Sequence, residues 1–185
     1  MKKRGDIRVG AIADTHGFYD PAVEKHFSGV SAIVHAGDIG HRAVIESLQH
    51  IAPVFAVSGN VDEYEHSGFP RQIVICRNDR KIAVCHVLYE KGKLTQEAKS
   101  WLDRERPDIC VFGHSHRPTI EQYGPTLLFN PGSAGPKRFS LPRGIGVLTI
   151  RKEKILTKLI RLSDKMNRRN RSTGVRLPQK NGGTT

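Results

Sequence analysis

Ile7-Arg8-Val9-Gly10-Ala11-Ile12-Ala13-Asp14-Thr15-His16 sets a short apolar run directly against an acid and a histidine. Residues 7–13 read as a buried strand, and Asp20-Pro21 marks the start of a helix, with Asp20 as N-cap and Pro21 at the first helical position. The unit then recurs, with residues 32–36 as strand, 37–40 as loop, 41–49 as helix and 54–57 as a third strand. Strands alternating with helices predict parallel pairing and a sheet covered on both faces, an α/β architecture.

Further along, the alternation lapses and the sheet becomes mixed. Residues 72–76 and 81–86 are β runs joined through Asn78-Asp79, a hairpin signal. Leu94, Ala98, Trp101 and Leu102 carry helical spacing through residues 95–104, Pro107 stops that helix, and residues 109–112 form another short buried strand. Residues 119–123, 127–130, 144–150 and 154–160 read as strands. We expect one domain over residues 1–163 and a basic, flexible tail over 164–185.

The bulk properties exclude several classes. A chain of 185 residues can bury one core of useful size. No apolar run approaches the ~18 residues that would span a bilayer, so a membrane protein is not expected. The basic start followed by residues 7–13 loosely mimics a signal peptide, yet the apolar stretch contains Arg8 and ends on Asp14 rather than on small residues. Cys76, Cys85 and Cys110 are odd in number, lack Cys-x-x-Cys spacing and read as reduced, buried thiols, which suits a cytoplasmic protein. The net charge of +12 would attract polyanions. Residues 161–185 hold seven basic side chains and Asp164 as the one acid, a net +6 and half of the whole. No aromatic residue interleaves them, so a solvated tail is the plainer reading and nucleic-acid binding through the tail the alternative.

The polar residues fall where the strands end. Asp14-Thr15-His16, Gly37-Asp38, Gly59-Asn60, Cys85-His86 and Gly113-His114-Ser115-His116 each follow a predicted strand, and in α/β sheets the carboxyl ends of strands open onto the ligand crevice. A lone Asp-x-His or Gly-Asp is more often a turn than a ligand. Together they supply two carboxylates, an amide oxygen and four imidazoles, a donor set that suits Mn, Fe, Ni, Zn or Co rather than Ca or Mg. Asp14 and His16, like His114 and His116, are two apart, so in an extended backbone each pair points to one side. Seven donors exceed one tetrahedral ion and suit two. Gly37, Gly59 and Gly113 permit sharp turns beside a ligand.

These motifs, together with Gly59-Asn60-Val61-Asp62 and Asn130-Pro131-Gly132-Ser133, resemble in their order over residues 7–160 the motif set of the calcineurin-like metallophosphoesterases. The resemblance is strongest to the small single-domain phosphodiesterases of bacteria and archaea. It implies a four-layer αββα sandwich with a dinuclear centre at the strand ends. Asp14, His16 and His116 would then hold one ion, Asn60, His86 and His114 the other, and Asp38 would bridge them. It also implies manganese, and a bridging water, made acidic by both ions, that attacks phosphorus in line. Asp38, Asn60 and His86 count as catalytic on this reading.

Two departures narrow the chemistry. Larger relatives carry a leaving-group histidine where this chain has Val61, and close relatives follow the equivalent of His86 with Gly-His where this chain has Val87-Leu88. Phosphodiesters or good leaving groups are therefore expected rather than general monoesters. Asn130-Pro131-Gly132-Ser133 can be a plain turn, or a phosphate-facing loop with Lys137 and Arg138, in which case Asn130, Ser133 and Arg138 touch substrate. His35 is either in an outer layer around the metals or a hydrogen-bonded core residue; His26, His41, His50 and His66 read as surface, and Asp62 as a cap for the Asn60 loop. Three functions follow: a phosphodiesterase acting on cyclic nucleotides or other nucleotide-derived diesters, a non-catalytic scaffold of the same fold such as the retromer subunit, and a nuclease or nucleic-acid binder. A homo-oligomer is compatible with each.

Overall fold

Alternation along the first strand decides the layering. In β1 (Ile7–Ile12), Val9 and Ala11 belong to one apolar cluster while Ile12 joins another on the opposite face. The computed structural model describes residues 5–62, 68–138 and 140–164. Within them β1, β2 (Ala32–Ala36) and β3 (Val54–Val57) pair in parallel, as the repeated strand, loop, helix unit predicts. On the other edge β11 (Gly144–Ile150) runs antiparallel to β1 and β12 (Ile155–Arg161) antiparallel to β11, giving the order β12-β11-β1-β2-β3.

The second sheet is also mixed. β4 (Gln72–Arg77) and β5 (Arg80–Cys85) form the expected hairpin, and Asn78 and Asp79 both take positive φ, 51° and 62°, the conformation of a two-residue turn that matches strand twist. β5 lies parallel to β8 (Ile109–Val111), β8 parallel to β10 (Thr126–Asn130), and β9 (Thr119–Tyr123) closes the edge antiparallel to β10. A ribbon of β6 (Tyr89–Glu90) with β7 (Lys93–Leu94) is an element that periodicity did not predict, because two-residue strands carry no pattern.

Side chains from both sheets meet in the middle: Val9, Ala11 and Val34 from one, Ile82, Val111 and Phe129 from the other, all buried. Outside the first sheet, α1 (Ala22–Phe27) and α2 (Arg42–Gln49) bury Val23, Phe27, Val44 and Leu48 against Ile12 and Ile33. Outside the second, α3 (Gln96–Glu105) buries Ala98, Trp101 and Leu102 against Ala83, Cys110 and Leu128. The result is the four-layer αββα sandwich. Each fully buried side chain of this size contributes about 1.5–3 kcal/mol, so the alternation along the strands is also the main source of stability.

Details at the element ends differ from expectation by a residue. α1 begins at Ala22, with Pro21 before it; the Asp20 carboxylate still accepts from the Ala22 N–H at 3.0 Å. His41 is the N-cap of α2 rather than a bare surface residue, its ring accepting from Ala43 N–H. Cys76 is exposed near the end of the edge strand β4, whereas Cys85 and Cys110 are buried as expected. His66 and, apart from Asp164, the basic tail lie outside the described residues.

Candidate metal centre

Five of the seven expected ligands, Asp14, His16, Asp38, His114 and His116, have positive φ, between 48° and 69°. Their convergence therefore does not come from extended backbone, as their spacing suggested. It comes from left-handed turns at the strand ends, a conformation that costs an L-residue roughly 1–2 kcal/mol. Loop-to-loop hydrogen bonds hold them there. Asp14 N–H donates to Gly37 O at 3.0 Å, His16 N–H to Asp38 O at 2.9 Å, and Gly17 N–H to Ile39 O at 2.7 Å, so the ladder between β1 and β2 continues past both strands. His114 N–H donates to Asp14 Oδ1 at 3.1 Å and ties in the loop after β8.

One ligand atom each from Asp14, His16, Asp38 and His116 lie within 4.8 Å of one another. His16 Nε2 is 3.2 Å from His116 Nε2 and 3.8 Å from Asp38 Oδ2, and His116 Nε2 is 3.4 Å from Asp14 Oδ1. The second oxygen of Asp38 faces elsewhere: Oδ1 is 3.3 Å from His86 Nε2 and accepts from Val61 N–H at 3.0 Å. The rings of His86 and His114 meet edge to face with centroids 5.3 Å apart. Asn60 is exposed and, with His86, lines a cavity of about 580 Å³. Asp38 thus stands between two groups of donors.

Whether cations fit can be tested on the acceptors that lack partners. Asp14 Oδ2 and His86 Nε2 are buried with no hydrogen-bond partner. His86 Nδ1 lies 2.8 Å from Ala36 O, which can only accept, so the ring donates from Nδ1 and directs Nε2 into the cluster. Unpartnered buried acceptors are costly, and a divalent cation satisfies them. Burial works to lower the His86 pKa, but the charges of Asp38 and Asp14 and the Ala36 carbonyl outweigh it and the net shift is upward. Burial likewise pushes the Asp38 carboxyl up, yet His86 and the Val61 N–H hold it well below the usual carboxylate range. His16 is lowered, first by burial and then by the Arg138 charge. Nitrogen and carboxylate donors without thiolate fit Mn, Fe, Ni, Zn or Co.

Small residues let the loops close. A Cβ on Gly113 would stand 2.8 Å from Ala36 O and 2.9 Å from Asp14 Oδ2, and one on Gly59 would overlap the Asp38 backbone. Asp62 does more than cap the Asn60 loop. Its carboxylate accepts from Gly59 N–H at 2.8 Å and also from Ile39 N–H at 3.0 Å and Gly40 N–H at 2.8 Å, which joins the Asn60 loop to the Asp38 loop. His35 is fully buried and stays outside the cluster; Thr15 Oγ1 donates to Ile39 O and accepts from His35 Nε2, each at 3.0 Å. Burial brings its pKa down to about 4.

The residues expected at a substrate phosphate separate into two kinds. Asn130 and Ser133 are buried, with the amide donating to Gly113 O and Ser115 Oγ and the hydroxyl to Asp14 O. Their polar groups brace the loops from behind. Lys137 pairs with Asp164 at 2.8 Å. Arg138 is exposed, and its charge acts on His16. Sequence reading missed Arg143, whose guanidinium is buried and bonds Gly135 O, Ala134 O, Ser163 O and the Asp20 carboxylate. Nothing distinguishes it in sequence from the other 29 Lys and Arg residues.

A mixed αββα sandwich with this cluster at its strand ends defines a metallophosphoesterase type of protein. Residues 7–153 match the profile of the calcineurin-like phosphoesterase superfamily domain, and the chain belongs to that superfamily of hydrolases. A probable metallophosphoesterase of Methanocaldococcus jannaschii is 35% identical over 169 residues, covering 86% of this chain and 84% of the relative. A phosphodiesterase of the same archaeon is 25% identical over 165 residues, 80% of this chain and 95% of its own. Among solved structures, zinc-complexed Vps29 of Entamoeba histolytica has a TM-score of 0.67 at 20% identity over 86% of this chain and 100% of its own, a likeness of fold.

Proposed function

We propose that the protein hydrolyses phosphodiesters at a dinuclear centre, with Asp14, His16 and His116 holding one divalent cation, Asn60, His86 and His114 the other, and Asp38 shared. The observation that carries this reading is the division of the Asp38 carboxylate, Oδ2 toward His16 and Oδ1 toward His86. Manganese is the expected metal. When bound, such ions supply Lewis acidity, polarising phosphoryl oxygens and lowering the pKa of water.

The chain's own residues position and screen. His86 is locked in one tautomer by Ala36 O, and Asp62 holds the Asp38 and Asn60 loops at a fixed separation. On this reading Arg138, whose charge acts on His16, holds a phosphoryl oxygen. Val61, half exposed at the centre's edge, offers no proton to a leaving oxygen, which favours diesters and good leaving groups. The relative named as a phosphodiesterase supports the same choice.

Metal-stripped protein, the same protein with manganese restored, and Asp38→Asn with manganese should be compared on an activated aryl phosphodiester. Activity is expected in the second sample alone. The loss in the variant should reach on the order of a hundredfold, since even outer partners of metal ligands cost about 10–100-fold. Equal rates in all three reject the mechanism. A metal count should give two ions per chain in the wild type and fewer in Asp38→Asn.

A further inference from the structure

Ser115 stands between two candidate ligands that turn in different directions. His114 before it meets the His86 ring edge to face, with centroids 5.3 Å apart, and His116 after it meets the His16 ring at 5.2 Å. The chain thus passes from one group of donors to the other through Ser115. Asp14, Asp38, His86 and His116 are buried, whereas Asn60, His114 and Ser115 are exposed, so an ester reaching the cluster from solvent approaches on their side.

The Ser115 hydroxyl is committed on two sides. Asn130 is fully buried, and its Oδ1 accepts from Gly132 N–H at 2.9 Å. That bond fixes Nδ2 as the end that donates to Gly113 O at 2.9 Å and to Ser115 Oγ at 3.1 Å. Arg117 N–H, which can only donate, points to the same Oγ at 3.3 Å. A serine oxygen has two lone pairs and one proton, so the protein takes both lone pairs and the O–H is left to donate. Among the described residues nothing accepts that proton. The same accounting excludes Ser115 as a nucleophile, because attack needs a free lone pair and a base to take the proton.

Resting on the phosphodiesterase reading above, we infer that the Ser115 hydroxyl donates a hydrogen bond to a nonbridging phosphoryl oxygen of the substrate, and that Asn130 is the positioning residue that keeps this hydroxyl turned outward. The nonbridging oxygens of a phosphodiester anion accept and do not donate, so the two groups match. Negative charge gathers on those oxygens as water adds to phosphorus. A donor aimed in advance then stabilises the transition state more than the ground state. No proton is transferred, and Ser115 keeps its O–H bond throughout.

Ser115→Ala and Ser115→Thr, each loaded with manganese, test this beside the wild type. On an activated aryl phosphodiester, kcat/KM should fall about five- to tenfold in Ser115→Ala, the worth of one neutral hydrogen bond, and return toward the wild-type value in Ser115→Thr. Inorganic phosphate, titrated calorimetrically into the full chain, should bind more weakly to Ser115→Ala and recover in Ser115→Thr. Manganese content should stay at the wild-type level in both variants. A rate and a phosphate affinity that are both unchanged in Ser115→Ala overturn the proposal. So does loss of manganese in Ser115→Ala, which would make the hydroxyl a brace for His114 and His116, and so does a Ser115→Thr variant no better than Ser115→Ala. If the wild type hydrolyses no diester, the phosphodiesterase reading fails by itself and phosphate affinity decides Ser115. Weaker binding in Ser115→Ala that Ser115→Thr restores upholds donation to a phosphoryl oxygen; equal binding overturns it.

Discussion

At the residue scale, the centre is built by side chains whose neighbours leave them few alternatives. Asp62 accepts three backbone N–H groups from two loops, so Asp62→Ala should leave three donors short of partners and cost about 2–3 kcal/mol in urea unfolding. The same variant should bind manganese more weakly, because the Asp38 and Asn60 loops lose their common anchor. Val61 gives a test of opposite sign. Val61→His should raise monoester hydrolysis relative to diester hydrolysis by about tenfold or more, below the 10²–10⁴ that a well-placed general acid supplies. An unchanged ratio would place Val61 away from the leaving oxygen. His35 couples folding stability to pH. Its pKa of about 4 in the fold lies below the 6.5 of an unfolded histidine, so the unfolded chain binds the extra proton between these values. The stabilising contribution is complete above pH about 6.5 and is lost as pH falls toward 4, with a slope of up to about 1.4 kcal/mol per unit. Metal-stripped protein unfolded in urea between pH 7 and 5 should show this slope, and His35→Gln should flatten it.

At the element scale, strand ends and helix starts do different work. The strands deliver their last residues to one edge of the sandwich, and the turns that follow rotate Asp14, Asp38 and His116 inward through positive φ. Helices are set by their caps. Thr95 Oγ1 accepts from Ala98 N–H at 3.0 Å, and Arg106 ends α3 in the left-handed region. Thr95→Ala should therefore cost about 1 kcal/mol, a fall in Tm of about 2–4 °C for a chain of this size, measured by calorimetry. Because α3 also walls the cavity beside Asn60, the same change should loosen the lining at Glu97 while leaving the Asp14 cluster in place.

At the scale of the whole molecule, Arg143 joins segments far apart in the chain. It ties Asp20 before α1, the loop carrying Ala134 and Gly135, and Ser163 after β12, while its guanidinium lies 5.2 Å from the Phe18 ring centroid. Arg143→Met should cost about 3–5 kcal/mol, as expected when one partner of a buried charge network is removed. A loss below about 1 kcal/mol would show that the carbonyls it bonds are reached by water instead.

What the chain's order of residues determined was the α/β class and the candidate ligands, and the motif resemblance implied the four layers. The apolar runs at residues 7–13 and 32–36, alternating with helical stretches, are written locally, and so is the placement of each Asp, Asn or His just beyond a strand. The resemblance of the motifs then implied a pairing of those residues into two sites. Tertiary structure decided how they meet. Spacing suggested extended backbone for Asp14 and His16, whereas left-handed turns held by Gly37 O and Asp38 O bring them together. Asn130 and Ser133 became braces, Asp62 a clasp between two loops, and Arg143 a buried staple. The cavity formed by β4, the β6 region and α3 also emerged only in three dimensions. The reason is physical: periodicity and motif order are properties of neighbouring residues, while a left-handed turn, a buried charge or a cavity depends on partners 20 to more than 100 positions away.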